Sequence, residues 1–268
     1  MIGLLAAGLG LLVGGVIGGL GGGGGVLTVP VLVYLLGQPV PDATTGSIVI
    51  VGAAALVGGL ARARSGDVDW PTGLGFGLVG IPTAVLGSLA NRAVPGPVLL
   101  LGVAALTLTA AAAMLLDARR HPAGPVDEAP SGDVRTGGVA TRRARALVPI
   151  ALWGAGTGFL TGLLGVGGGF LVVPVLVVVL RLTTPRAIGT SLVVIAVNAA
   201  AALAPRMGGP EPDWTVVGPF ALAAVVATLA GKLVADRLPG PTLARAFAVM
   251  IGAVGLAVGV QSIFALLG

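Results

Sequence analysis

Long apolar runs alternate with short polar breaks along almost the whole chain. The runs fall at about 2–20, 44–61, 70–91, 97–116, 146–164, 187–205, 214–235 and 242–267. Each is close to the roughly 20 residues that a helix needs to cross the hydrocarbon of a bilayer, so the pattern predicts eight spans. Two further apolar stretches, Val26–Leu36 and Phe170–Leu180, reach only about half that length. They are predicted as broken or re-entrant segments, short helices opening near Pro30 and Pro174, where proline suits a first helical turn.

Composition sharpens this picture: 56% of residues are hydrophobic and 9% charged. That excludes a soluble domain, for which about 25% charged residues is usual, and implies an all-α polytopic membrane protein whose main partner is the lipid bilayer. The first run has neither a basic n-region nor a small-residue cleavage site, so it is expected to remain as a span. There is no cysteine, which removes disulfides, thiolate metal sites and cysteine nucleophiles.

The chain repeats itself at an offset of 144 residues, Leu164 falling on Leu20. Leu20–Val33 reads LGGGGGVLTVPVLV and Leu164–Val177 reads LGVGGGFLVVPVLV, identical at eleven of fourteen positions. The register continues without a gap through Pro41/Pro185, Ser47/Ser191, Arg62/Arg206, Asp69/Asp213, Trp70/Trp214 and Gly87/Gly231. Three regions follow: a first transmembrane repeat over 1–116, a Pro-, Gly- and Arg-rich linker over 117–145, and a second repeat over 146–268. Each repeat is expected to hold about four full spans plus one short helix after its glycine-rich loop.

Charge decides how the halves are related. With an odd number of crossings per half and the Arg-rich linker in the cytoplasm, Arg62, Arg64, Arg181, Arg186, Lys232, Arg237 and Arg245 also face inward, leaving Arg92 and Arg206 outside. An even number reverses that bias against the positive-inside rule, so an inverted repeat is expected. Trp70 and Trp214 are read as interfacial anchors, and Lys232 as a lysine snorkelling to the cytoplasmic surface.

Candidate chemistry concentrates in the repeated segments. Glycine disfavours helix by about 1 kcal/mol relative to alanine, so Gly23, Gly24 and Gly25, with Gly167, Gly168 and Gly169, mark broken helix whose bare amides suit an anion. Isolated glycines elsewhere are read as helix packing. Hydroxyls at Thr28, Thr44, Thr45, Ser47, Thr190 and Ser191 are substrate-ligand candidates. For those near helix starts, capping or bonding to a carbonyl one turn back is an equal alternative. Asn198 lies at a depth where polar groups are expensive and is read as functional or as a helix–helix contact. No carboxylate sits deep in an apolar run and the single histidine, His121, is in the linker, so no enzymatic activity, cofactor, metal site or nucleic-acid partner is expected.

The motifs Gly21–Gly25 with Val29-Pro30, Gly165–Gly169 with Val173-Pro174, and Ala187-Ile188-Gly189-Thr190-Ser191 resemble those of the sulfite exporter TauE/SafE family of membrane permeases. The first half departs from the last pattern, reading Ala43-Thr44-Thr45-Gly46-Ser47. The resemblance implies export of sulfite, a sulfonate or a related small sulfur oxyanion across the bacterial inner membrane. An uncoupled anion channel and a non-transporting assembly protein are the alternatives, and the reading leaves room for a homo-oligomer.

Overall fold

The computed structural model describes residues 2–21, 23–91, 93–120, 139–164, 169–180, 182–208 and 212–267; of 23, 97, 117–120, 139–150, 169–170 and 263–267 it describes the helical backbone alone. The chain forms α1 (Ile2–Leu20), α2 (Gly23–Pro30), α3 (Val40–Arg64), α4 (Trp70–Asn91) and α5 (Gly96–Arg120) in its first half. The second half repeats the order with α6 (Val139–Leu164), α7 (Gly169–Pro174), α8 (Thr184–Leu203), α9 (Trp214–Ala235) and α10 (Gly240–Leu267). Among the described residues, α1, α3, α4, α5, α8, α9 and α10 are long and apolar enough to cross a membrane, seven against the eight expected. The eighth run falls in α6, whose described apolar part, Ala151–Leu164, is shorter.

Helices meet through small residues, because in lipid the attraction between apolar surfaces comes from close packing rather than from water. Gly10, Gly14 and Gly18 of α1 lie against Phe220, Ala224 and Thr228 of α9, and a Cβ at any of them would enter that backbone. Their counterparts Gly154, Gly158 and Gly162 of α6 lie against Phe76, Gly80 and Ala84 of α4. Residue numbers rise together in both pairs, so each pair is parallel. Across the centre they run oppositely. Gly52 and Gly58 of α3 face Ala199 and Leu192 of α8, while Thr107 and Ala111 of α5 face Gly255 and Gly252 of α10, so both counterpart pairs are antiparallel.

One end of the bundle therefore gathers the last turns of α1, α3 and α9 with the start of α8, and the opposite end gathers the starts of α1, α3 and α9 with the last turns of α4 and α6. Asp69 and Asp213 cap the helices that begin with Trp70 and Trp214, accepting from the Thr72 amide at 3.3 Å and the Thr215 amide at 3.0 Å. Both tryptophans are exposed, one at each end.

The short helices do not open at the prolines. α2 opens at Gly23 and α7 at Gly169, and Pro30 and Pro174 stand in their last turns. Each helix then widens into a π turn, Val31–Leu35 or Val175–Val179. The Leu36 amide donates to the Val31 carbonyl and the Leu180 amide to Val175, both at 3.1 Å. Proline inside a helix removes a donor and crowds the carbonyl one turn back; here the wider turn follows it and the chain stays helical. Gly37, at φ +65°, ends the first segment as only glycine does readily. Gly21 lies beside Ile188 at one end, whereas Leu32 lies beside Gly46 and Val217 at the other, so this segment runs from end to end rather than turning back.

Candidate functional site

Most candidate hydroxyls are already engaged by protein. Thr28 donates to the Gly24 carbonyl at 3.0 Å, while Thr44 and Thr45 donate to Pro41 at 2.8 and 3.0 Å. Thr190 accepts the Asp69 amide at 2.9 Å, holding the α3–α4 turn against α8. Ser191 donates to Ile188 one turn back and to Gly21 of the other half, each at 2.8 Å. These residues close helix ends and join the halves.

Two candidates differ. Ser47 Oγ and both amide atoms of Asn198 are buried without a hydrogen-bond partner among the described residues. An unpaired buried polar group costs about 1–3 kcal/mol, which marks these atoms as places where a ligand or water would be welcome. Gly80 makes the room: a side chain there would collide with the Asn198 amide.

Depth along the core follows from the antiparallel pairing of α3 and α8. Ser47 faces the level of the last turn of α8, about thirteen residues from Ser191, and at 1.5 Å per residue the two serines stand roughly 20 Å apart along the axis. Asn198 lies about midway. The glycine segment at Gly21 meets Ser191 at one end, so the structure does not bring it together with Ser47.

Among the glycines, Gly23, Gly24 and Gly25 form the first turn of α2, where amides have no helical acceptor. Gly24 also serves packing, since a Cβ there would meet Ile17 and the Val13 carbonyl of α1. Gly169 opens α7. Gly167 and Gly168 lie outside the described residues.

Arg206 was visible in the sequence only as a repeat match and a charge to be placed. Its Nε donates to Ser88 at 2.8 Å, Nη1 to Thr44 and Thr45 at 3.1 and 2.9 Å, and Nη2 to the Gly162 carbonyl at 3.1 Å. It thereby ties the turn that follows α8 to α3, α4 and α6. It also lines a cavity of about 900 Å3, together with Asp42, Thr45, Ser88 and Asn91. At the other end its counterpart Arg62 is buried, and Nη2 donates to the Gly18 carbonyl at 2.8 Å. The signal that could have found this pair was the gapless repeat register itself.

Helices of this length and apolarity, packed through glycine and repeated at one offset, define a multi-pass helical membrane protein with a duplicated core. The chain belongs to the Sulfite exporter TauE/SafE family, whose model matches residues 6–258. It is 32% identical over 256 residues to a probable membrane transporter protein of Xylella fastidiosa (strain 9a5c), covering 94% of this chain and 93% of the relative. It is 29% identical over 238 residues to the probable membrane transporter protein YunE of Bacillus subtilis (strain 168), covering 84% of each. No solved structure matches the chain.

Proposed function

We propose that this protein exports sulfite, or a related sulfur oxyanion of the sulfonate or sulfoacetate type, across the bacterial cytoplasmic membrane by alternating access. The observation that carries the reading is Asn198: a buried amide with no hydrogen-bond partner among the described residues, about halfway along the α3–α8 core, in a chain of this family. The amide offers two N–H donors and no charge. Hydrogen bonds to charged groups contribute about 1.5–3 kcal/mol each. A millimolar complex corresponds to about 4.1 kcal/mol, so a neutral site of this kind holds an anion and still releases it.

The halves are read as an inverted repeat. Antiparallel packing of the counterparts α3 with α8 and α5 with α10 supports this, as does the gathering of Arg62, Arg64 and Lys232 at one end against Arg206 at the other. The end rich in basic residues is taken as cytoplasmic. The cavity at Arg206 then opens outward, while Gly18 and Thr228 pack tightly at the inner end. In this reading the ion passes from the level of Ser191 and Gly21 to Asn198 and on to Ser47, with the amides of Gly23, Gly24 and Gly25 flanking its path. Thr28, Thr44, Thr45 and Thr190 shape that path through their protein hydrogen bonds.

Flux of radiolabelled sulfite in proteoliposomes tests the proposal. Saturable movement is the expected result. Unsaturable ion current would make the protein a channel, and absence of flux for any anion would return it to a structural role in the membrane.

A further inference from the structure

Arg62 and Arg206 occupy the same position of the repeat and make the same bond, each Nη2 donating to a carbonyl of its own half's first helix, Gly18 at 2.8 Å and Gly162 at 3.1 Å. Around that shared bond they differ. Arg206 faces the open cavity, whereas Arg62 is 2% exposed and its Nε has no hydrogen-bond partner among the described residues. The nearest carboxylate oxygen is Asp236 Oδ1 at 3.8 Å from Nη1, and Lys232 holds the other oxygen of the same carboxylate at 2.7 Å. A guanidinium buried this deeply with one donor unpaired is expensive, and such charges in spanning segments mark ion pathways.

The geometry points to Arg62 as an anion-binding residue at its end of the protein: it takes a small oxyanion of sulfite or sulfate size when that end opens, and is sealed by Gly18 in the state described here. Two observations carry this beyond repeat symmetry. The unpartnered Nε shows that the sealed arrangement leaves a charged donor unsatisfied, and Asp236 is bound more closely by Lys232 than by Arg62, so parting Arg62 from it breaks no short contact. Calling that end cytoplasmic rests on the charge reading given with the proposed function; the anion site itself does not.

The chain has no cysteine, so Gly59→Cys supplies a single thiol one turn inside Arg62, where a Cβ makes only ordinary contacts with Val193 at 3.5 Å. Full-length protein in inside-out membrane vesicles is treated with a sulfonate-bearing methanethiosulfonate and with its trimethylammonium counterpart, rates being normalised to a free thiol. The anionic reagent is expected to react at least about tenfold faster, the lower bound for charge focused in a cleft. Arg62→Lys should keep that preference, and Arg62→Gln or Arg62→Met, whichever is stable on heating, should abolish it. An unreactive thiol, or equal rates with Arg62 in place, would overturn the site. Wild-type sulfite flux is measured on the same preparation. Flux with equal rates removes only the Arg62 site, and a tenfold preference without flux removes only the export reading.

Discussion

Ser191 Oγ lies 2.8 Å from the carbonyl oxygen of Gly21, joining α8 of the second half to the positive-φ turn that ends α1 of the first. The bond spans 170 positions and brings a donor to a helix end whose last carbonyls have no intrahelical one. Ser191→Ala leaves that carbonyl buried and unmatched, so a loss of about 1–3 kcal/mol is expected. Thr28→Ala removes a bond within one helix and should fall below about 1 kcal/mol. Thermal unfolding of the two purified variants in one detergent checks the order.

Asn198 separates a structural role from a functional one. Replacing an unpaired buried amide by an apolar side chain of similar size removes a desolvation cost, so Asn198→Leu should hold or raise the melting temperature. Sulfite flux should fall at least about tenfold, which corresponds to roughly 1.4 kcal/mol. A lower melting temperature with flux intact would assign Asn198 to packing.

The glycine stripes predict a sharp contrast within one helix. Gly14→Val and its counterpart Gly158→Val drive a side chain into the backbone of the neighbouring helix, and a loss of about 1–3 kcal/mol or more is expected. Gly8→Val and Gly156→Val enter open space and should leave folding unchanged. Size-exclusion profiles and melting temperatures of the four variants give the comparison.

Sidedness is testable in the same cysteine-free background. Thiols introduced as Arg64→Cys and Lys232→Cys should be labelled by an impermeant reagent from one face, the cytoplasmic one, and Arg206→Cys from the other. Labelling of Arg64→Cys and Arg206→Cys from a single face would defeat the inverted arrangement.

The spans and the pairing of equivalent positions were legible because hydrophobic length and a gapless repeat are written directly in the residues. Where the short helices open was not. Proline in a membrane segment reads as a first-turn residue, yet Pro30 and Pro174 sit in a last turn and a π turn follows each. The hydroxyls were read with two meanings; Thr28, Thr44, Thr45, Thr190 and Ser191 make hydrogen bonds within the protein, whereas Ser47, like the amide of Asn198, makes none among the described residues. Gly24 packs against Val13 and Ile17, so Gly24→Val probes folding before it probes a ligand. Arg62 and Arg206 were counted as loop charges because their burial and cavity depend on contacts up to 162 positions away.

The stripe of Gly10, Gly14 and Gly18 finds its partner in α9, which the ribosome makes some two hundred residues later. Until then α1 presents an unfilled groove to lipid or to the insertion machinery, and α4 waits likewise for α6. Neither half is a self-sufficient folding unit. Biogenesis must therefore keep the early helices apart from wrong neighbours until the second copy arrives, and a ribosome stalled in the linker should release a product destined for membrane proteolysis.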